Sequence, residues 1–215
     1  MGRIWLGCLA LLVVLILIVG LSFAATYNRL VTLGQEVDKQ WAQVENVYQR
    51  RADLVPNLVA TVQGAAEFEK ETFTAVTEAR ASVGRATVAP GKAPAEPEAL
   101  ARYEQAQASL GAALQRLLVV VEKYPDLKAN QSFRDLQAQL EGTENRITVE
   151  RMRFNEAAQA YNTTLKRFPT NMIAGLFHFE SKPYFKATTP GAETAPAVRF
   201  DFKGSAPTPP ALAKP

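Results

Sequence analysis

The chain has 215 residues, a net charge of +3 and 47% apolar side chains. Its charges alternate in sign along the sequence instead of gathering in a block, which argues against nucleic acid as a partner. With one cysteine and one histidine, an internal disulfide and a zinc cluster are excluded.

Residues 4–25 carry no charged side chain. As a helix rising about 1.5 Å per residue they span about 33 Å, enough to cross a hydrocarbon core of about 30 Å. The run is longer than the roughly 7–15 apolar residues of a cleavable signal peptide, although Ser22-Phe23-Ala24 offers a small-x-small cleavage pattern. Trp5-Leu6-Gly7 is a poor lipobox for Cys8, and Leu6 stands where myristoylation needs Ser or Thr. The segment reads as a retained single-pass anchor in the inner membrane. Positive charges are nearly balanced across it (Arg3 against Arg29 and Lys39). An apolar first segment usually enters as a signal-anchor, which puts the body on the periplasmic side.

Roughly 190 residues follow, enough for one domain and a tail. Leu30, Leu33, Val37, Trp41, Val44 and Tyr48 recur at steps of three and four, the stripe of an amphipathic helix close to a coiled-coil seam. The pattern resumes with Val55, Leu58, Val62, Ala65, Glu69, Phe73, Val76 and Ala79/Arg80. Glu69 and Arg50/Arg51 are its weak points. Pro56 falls within it, so either one long helix kinks there, as the unbroken phase favours, or Asp53 caps a second helix after a corner.

Gly84 and residues 86–97, rich in Ala, Pro and Gly, form a loop. Leu100, Tyr103, Gln107, Leu110, Leu114, Leu117 and Val121 trace the next stripe, which stops at Tyr124-Pro125-Asp126. Asn130 or Ser132 caps the last long helix, where Ser132-Phe133-Arg134-Asp135 loosely matches a capping box. Its stripe is Phe133, Leu136, Leu140, Thr143, Ile147, Phe154, Ala158, Tyr161, Leu165 and Phe168, and Pro169 closes it. The fold class is all-α: a transmembrane helix, then an antiparallel bundle of three to four long helical segments, then an irregular tail.

Four regions follow: an anchor over 1–26, the bundle over 27–168, an irregular extension packing on the bundle over 169–203, and a disordered Pro/Ala tail over 204–215. Within the extension, residues 172–177 and 183–185 are apolar enough to fold back on the bundle end. Residues 188–196 read as a linker, and Val198, Phe200 and Phe202 alternate like a short strand.

Several segments resemble the LemA family of bacterial membrane-anchored proteins. They are Tyr27-Asn28-Arg29-Leu30-Val31, Trp41, Arg50-Arg51-Ala52-Asp53-Leu54-Val55-Pro56-Asn57-Leu58-Val59 with Gly64, and Tyr124-Pro125-Asp126-Leu127-Lys128-Ala129-Asn130. Glu144-Asn145-Arg146-Ile147, Arg153-Phe154-Asn155, Tyr161-Asn162, Phe168-Pro169 and Tyr184-Phe185 continue the series in order over residues 27–186. Phe154, where the family commonly has tyrosine, and Phe68, where it has a more polar residue, are small departures. The resemblance implies a helical bundle behind one membrane helix. It supplies no mechanism, since the family has no agreed activity and is discussed beside membrane metalloproteases and envelope processes.

Polar residues that interrupt the stripes form the candidate interaction layer: Arg50, Arg51, Asp53, Pro56 and Asn57 on one segment, Glu144, Arg146, Asn155 and Asn162 on another. If these helices pack together, Arg51 and Glu144 form a partly buried ion pair. Its balanced charges suit a register-setting layer better than a ligand site. Asn155 and Asn162, seven apart, share a helix face on which Asn28 is a possible partner. His178 between two phenylalanines reads as a packed or surface residue. No nucleophile–base set, phosphate loop or metal spacing is visible.

The expected function is a non-enzymatic, membrane-anchored scaffold or adaptor of the bacterial envelope, without a cofactor. It touches the bilayer through residues 4–25 and works as a homo-oligomer or with an envelope protein such as a membrane protease. A sensor that relays a signal through the kink and a membrane-remodelling polymer are the alternatives.

Overall fold

A computed structural model describes residues 2–63, 70–86 and 91–186, with the side chains of residues 2–4 and 8 left aside. Six helices lie among them: α1 (Gly2–Gln63), α2 (Lys70–Arg85), α3 (Pro97–Val121), α4 (Pro125–Ala129), α5 (Gln131–Lys166) and α6 (Thr170–Leu176). Gly64, Ala65, Phe68, Glu69, the expected linker, the strand at Val198–Phe202 and the Pro/Ala tail fall outside the described residues.

Helix α1 is one uninterrupted helix of 62 residues with Pro56 inside it, about 93 Å long at 1.5 Å per residue. Every described side chain from Trp5 to Ala25 is exposed, and burial begins with Leu30. This apolar stretch makes α1 a candidate membrane span. Trp5 and Tyr27 bracket it about 33 Å apart, the placement of aromatic residues at two membrane interfaces.

The body packs as an up–down–up–down bundle. Val55, Leu58 and Val62 of α1 share a core with Phe73 and Val76 of α2, so α2 runs back beside α1. Helix α3 starts with Leu100 and Tyr103 in the same core as Trp41 and Tyr48, then carries Leu110, Leu114, Leu117 and Val121 to the far end. Helix α5 returns, from Phe133 and Leu140 at the far end to Tyr161 and Leu165 beside Leu30. Between α2 and α3, the backbone N–H of Gly91 donates to Glu45 (3.1 Å) and that of Ala93 to Asp38 (3.0 Å), fastening this stretch to α1.

The α3 stripe is buried at all seven expected positions. Asn130, of the two capping candidates, caps α5: its side-chain oxygen accepts from the N–H groups of Ser132 (2.9 Å) and Phe133 (3.3 Å), satisfying donors that have no partner within the helix. Three expectations need correction. The corner considered at Pro56 is absent: α1 continues through it to Gln63, and the resumed stripe is shared with a separate helix, α2, that begins at Lys70. Phe168 does not join the core. Helix α5 ends at Lys166, because a residue before proline resists helical geometry, and Phe168 is 80% exposed. The extension after Pro169 is not wholly irregular, since Thr170–Leu176 form a short helix; another, Pro125–Ala129, links α3 to α5.

Pro56 is tolerated for a visible reason. A proline lacks the N–H that would bond the carbonyl four residues earlier, which is that of Ala52. Arg80 of α2 supplies the missing donor, with its Nε 3.0 Å from the Ala52 oxygen. Arg80→Ala is therefore expected to cost about 1 kcal/mol, because the carbonyl loses this part-buried hydrogen bond. In a Pro56→Ala background the helix provides its own N–H, and the same substitution is expected to cost less than about 0.5 kcal/mol. Unfolding of the full chain in detergent, followed by circular dichroism through this double-mutant cycle, measures the coupling. Equal costs in both backgrounds would refute the assignment.

Candidate functional site

Two apolar clusters fill the bundle, one from Leu30 to Tyr48 on α1 and one from Val55 to Val62. A polar layer separates them. Arg51 is buried, and its Nη1 donates to Glu144 Oε2 at 3.0 Å. Its Nη2 donates to both the backbone and side-chain oxygens of Gln107, at 2.9 and 2.6 Å. The guanidinium also lies over the Tyr48 ring, 5.2 Å from its centroid. One cation thus ties α1 to α3 and α5 at a single level.

The ion pair is lopsided: the Arg51 side chain is 4% exposed and that of Glu144 58%. Water already stabilises the carboxylate, whereas the guanidinium depends on its partners. Next to this layer, Arg151 donates to Glu104 at 2.7 Å and covers the Phe185 ring at 4.6 Å. Burial pushes the phenol pKa of both Tyr48 and Tyr103 upward, so both rings stay neutral through the physiological range and add no charge to the layer.

Above the layer Trp41 is completely buried. Its ring meets Tyr103 at 5.3 Å, Phe154 at 5.6 Å and Phe185 at 6.0 Å between centroids. Phe185 comes from the extension after α6, and two asparagines of α5 hold it there. Asn155 exchanges both amide bonds with the Phe185 backbone (3.0 and 2.9 Å). Asn162 does the same with Lys182 (both 2.8 Å) and donates to the Tyr184 hydroxyl at 2.9 Å. Seven helical residues advance about 10.5 Å, and three extended residues about 10 Å. The two asparagines therefore match the pitch of an extended strand laid antiparallel to the helix. The face they share serves the extension, and Asn28 is not on it: its side chain is exposed.

Of the remaining expected positions, Arg50, Asp53, Pro56, Asn57 and Arg146 are all exposed and take no part in the buried layer. Asp53 accepts from Gln49 (2.8 Å) and the Asn57 carbonyl from Thr61 (2.8 Å), both along α1. His178 is exposed with φ +56°. It occupies the left-handed position of a Schellman closure, in which the Phe179 N–H bonds the Ala174 carbonyl at 2.9 Å. Gln107, Glu104 and Arg80 were not singled out from sequence. Gln107 stood inside an apolar stripe, and that polar interruption was the available signal.

The LemA family pattern matches residues 40–200. The chain belongs to the LemA family. Among similar proteins are magnetosome proteins MamQ 1 and MamQ 2 of Paramagnetospirillum magneticum, each 29% identical over 201 residues, covering 85% of this chain and 74% of the relative. Magnetosome protein MamQ of Magnetospirillum gryphiswaldense is 26% identical over 178 residues, covering 74% of this chain and 64% of the relative.

The LemA-like segments converge in space. Arg51 and Glu144, from separate segments, make the polar layer. Asn130 ends its segment as a helix cap. Phe154, Asn155, Asn162, Tyr184 and Phe185 together form the docking of the extension.

Two outcomes follow from this geometry. Arg51→Ala leaves the Gln107 oxygens without their donor and is expected to cost about 3 kcal/mol or more, whereas Glu144→Gln, at a hydrated position, costs about 1 kcal/mol or less. Thermal unfolding of the full chain in detergent compares them, and equal losses would contradict the lopsided pair. Asn162→Ala removes three hydrogen bonds to the extension. Amide exchange at Lys182 should rise about tenfold or more, by the conversion of roughly 1.4 kcal/mol per decade, while α3 amides keep their protection.

Proposed function

We propose that the chain is a non-enzymatic scaffold or adaptor held at the bacterial inner membrane. Its bundle stands on the periplasmic side and presents its surface to further copies of itself or to an envelope protein such as a membrane protease. The observation that carries this reading is the continuity of α1. One helix joins an exposed apolar stretch to the wholly buried Leu30, Val37 and Trp41 of the bundle without a linker. Such a body is joined rigidly to its anchor and moves as one piece with it, a property useful for ordering neighbours.

The interior chemistry agrees. The buried cation is paired, the phenols of Tyr48 and Tyr103 are held neutral, and the side chains of Asn155 and Asn162 are engaged by the extension. Among the described residues no group of three or more His, Cys, Asp or Glu side chains is placed to share a metal ion. The MamQ relatives are named for the magnetosome and not for a reaction, which fits a part played through assembly.

Anchored copies are concentrated in two dimensions, so modest contacts suffice for association. Val149 and Met152, three residues apart on α5, are exposed apolar positions on one helix face. A photo-crosslinker at Met152 in native membranes is expected to trap the chain with a second copy or an envelope protein, resolved by mass spectrometry and by the size of the solubilised complex. Recovery of monomer alone, at Met152 and at Val149, would overturn the reading.

A further inference from the structure

Helix α6 has apolar side chains on both sides. Thr170, Ile173 and Ala174 are buried against the rest of the chain. Met172, Leu176 and the following Phe177 remain 66%, 65% and 46% exposed, and Phe168 just before the helix is 80% exposed. In water this is an unfavourable way to finish a bundle, since a helix that is apolar all round belongs in a core or in lipid.

The position of α6 along α1 decides between these. Ile18, Val19 and Phe23 of α1 face Pro169, Met172 and Ile173 across an open groove of about 320 Å³. Its polar side chains, Ser22 and Thr26, are few, and the Thr26 hydroxyl is already donated to the Ser22 carbonyl at 2.8 Å. The groove runs from Ile18 to Thr26, about 12 Å of helix, and thus lies alongside the last third of the apolar run. One leaflet of a core of about 30 Å is about 15 Å deep. If residues 4–25 cross the bilayer, α6 stands beside them at the depth of acyl chains.

The surroundings have the character of that depth. Phe177 packs edge-on against Tyr27 at 4.9 Å and lies 5.9 Å from Phe23, and Phe179 meets Tyr27 at 5.6 Å. This aromatic collar sits where the span emerges. Exposed Arg29, Lys166 and Arg167 follow it directly, basic side chains long enough to reach lipid phosphates while their stems stay in apolar surroundings. The closure of α6 bonds its last carbonyls internally (Phe177 N–H to Ile173, 3.0 Å; Phe179 N–H to Ala174, 2.9 Å), as backbone near lipid requires.

We propose that α6 is a second membrane contact, a foot whose outer face of Phe168, Met172, Leu176 and Phe177 enters the leaflet nearest the body, with a lipid acyl chain seated in the groove between foot and span. The foot rests on the reading of residues 4–25 as a membrane span. Two contacts fix the tilt and rotation of the bundle over the membrane, where a single helix leaves both free.

The test uses the full chain in vesicles of phosphatidylcholine and phosphatidylglycerol, with and without brominated acyl chains. In a Cys8→Ser background, a bimane fluorophore is placed in turn at Met172→Cys, Leu176→Cys, Leu17→Cys and Glu141→Cys. All four positions are exposed, so the bundle core is not disturbed. Positions 172, 176 and 17 are expected to lose about half their emission to bromolipid, as for a face about 5–10 Å deep, while position 141 is unaffected. Quenching at 17 with none at 172 or 176 would overturn the foot and leave the span standing. No quenching at 17 would overturn the span and the foot with it. Equal quenching at 141 would show that the label reports non-specific adsorption, and the foot would fall.

Discussion

One continuous helix has to carry both an exposed apolar stretch and a buried stripe. Helix α1 exposes every described side chain from Trp5 to Ala25 and then, within about one turn and a half, buries Leu30 completely. No break in the helix intervenes. The rest of the body is arranged around this rod. Helix α2 folds back on its far end, α3 runs alongside it, α5 lines its length, and α6 reaches its exposed apolar stretch.

So long a helix has to be kept straight enough to pack at both ends, and its defects are repaired from outside. Pro56 frees the Ala52 carbonyl, and Arg80 of α2 occupies it. Arg51 would be an uncompensated charge in the core, and α3 and α5 answer it together through Gln107 and Glu144. Both repairs lie at the level where the two apolar clusters meet. A register error there would strand a buried cation, so this level specifies alignment more than it adds stability. At the other end the extension inserts Phe185 among Trp41 and Phe154 and is held by its backbone through Asn155 and Asn162.

On the function proposed above, a LemA-family body built in this way works through its surfaces. Its standing over the membrane is set by α1 and, on the reading advanced above, by the apolar underside of α6. The family match covers residues 40–200, which includes the polar layer, the docking of the extension and α6. The apolar stretch of α1 and its wall of the groove, Ile18 to Thr26, lie ahead of the matched residues.

The uncharged run determined the candidate span, and periodicity the helical class and the buried faces of α1, α3 and α5, because a 3.6-residue repeat of apolar side chains has one way to be buried. It also joined Arg51 to Glu144, since charges that interrupt two apolar stripes must meet if those stripes meet. Tertiary structure alone decided where the chain turns back, which donor replaces the one Pro56 lacks, and that Asn155 and Asn162 hold an extended segment instead of each other or Asn28. It also turned Phe168 outward, although its place in the stripe had assigned it to the core, and left Met172 and Leu176 exposed on a segment that does fold back on the bundle end. Hydrophobicity says that a side chain avoids water. Whether it does so in protein or in lipid depends on what stands next to it, and that is fixed only when distant parts of the chain come together.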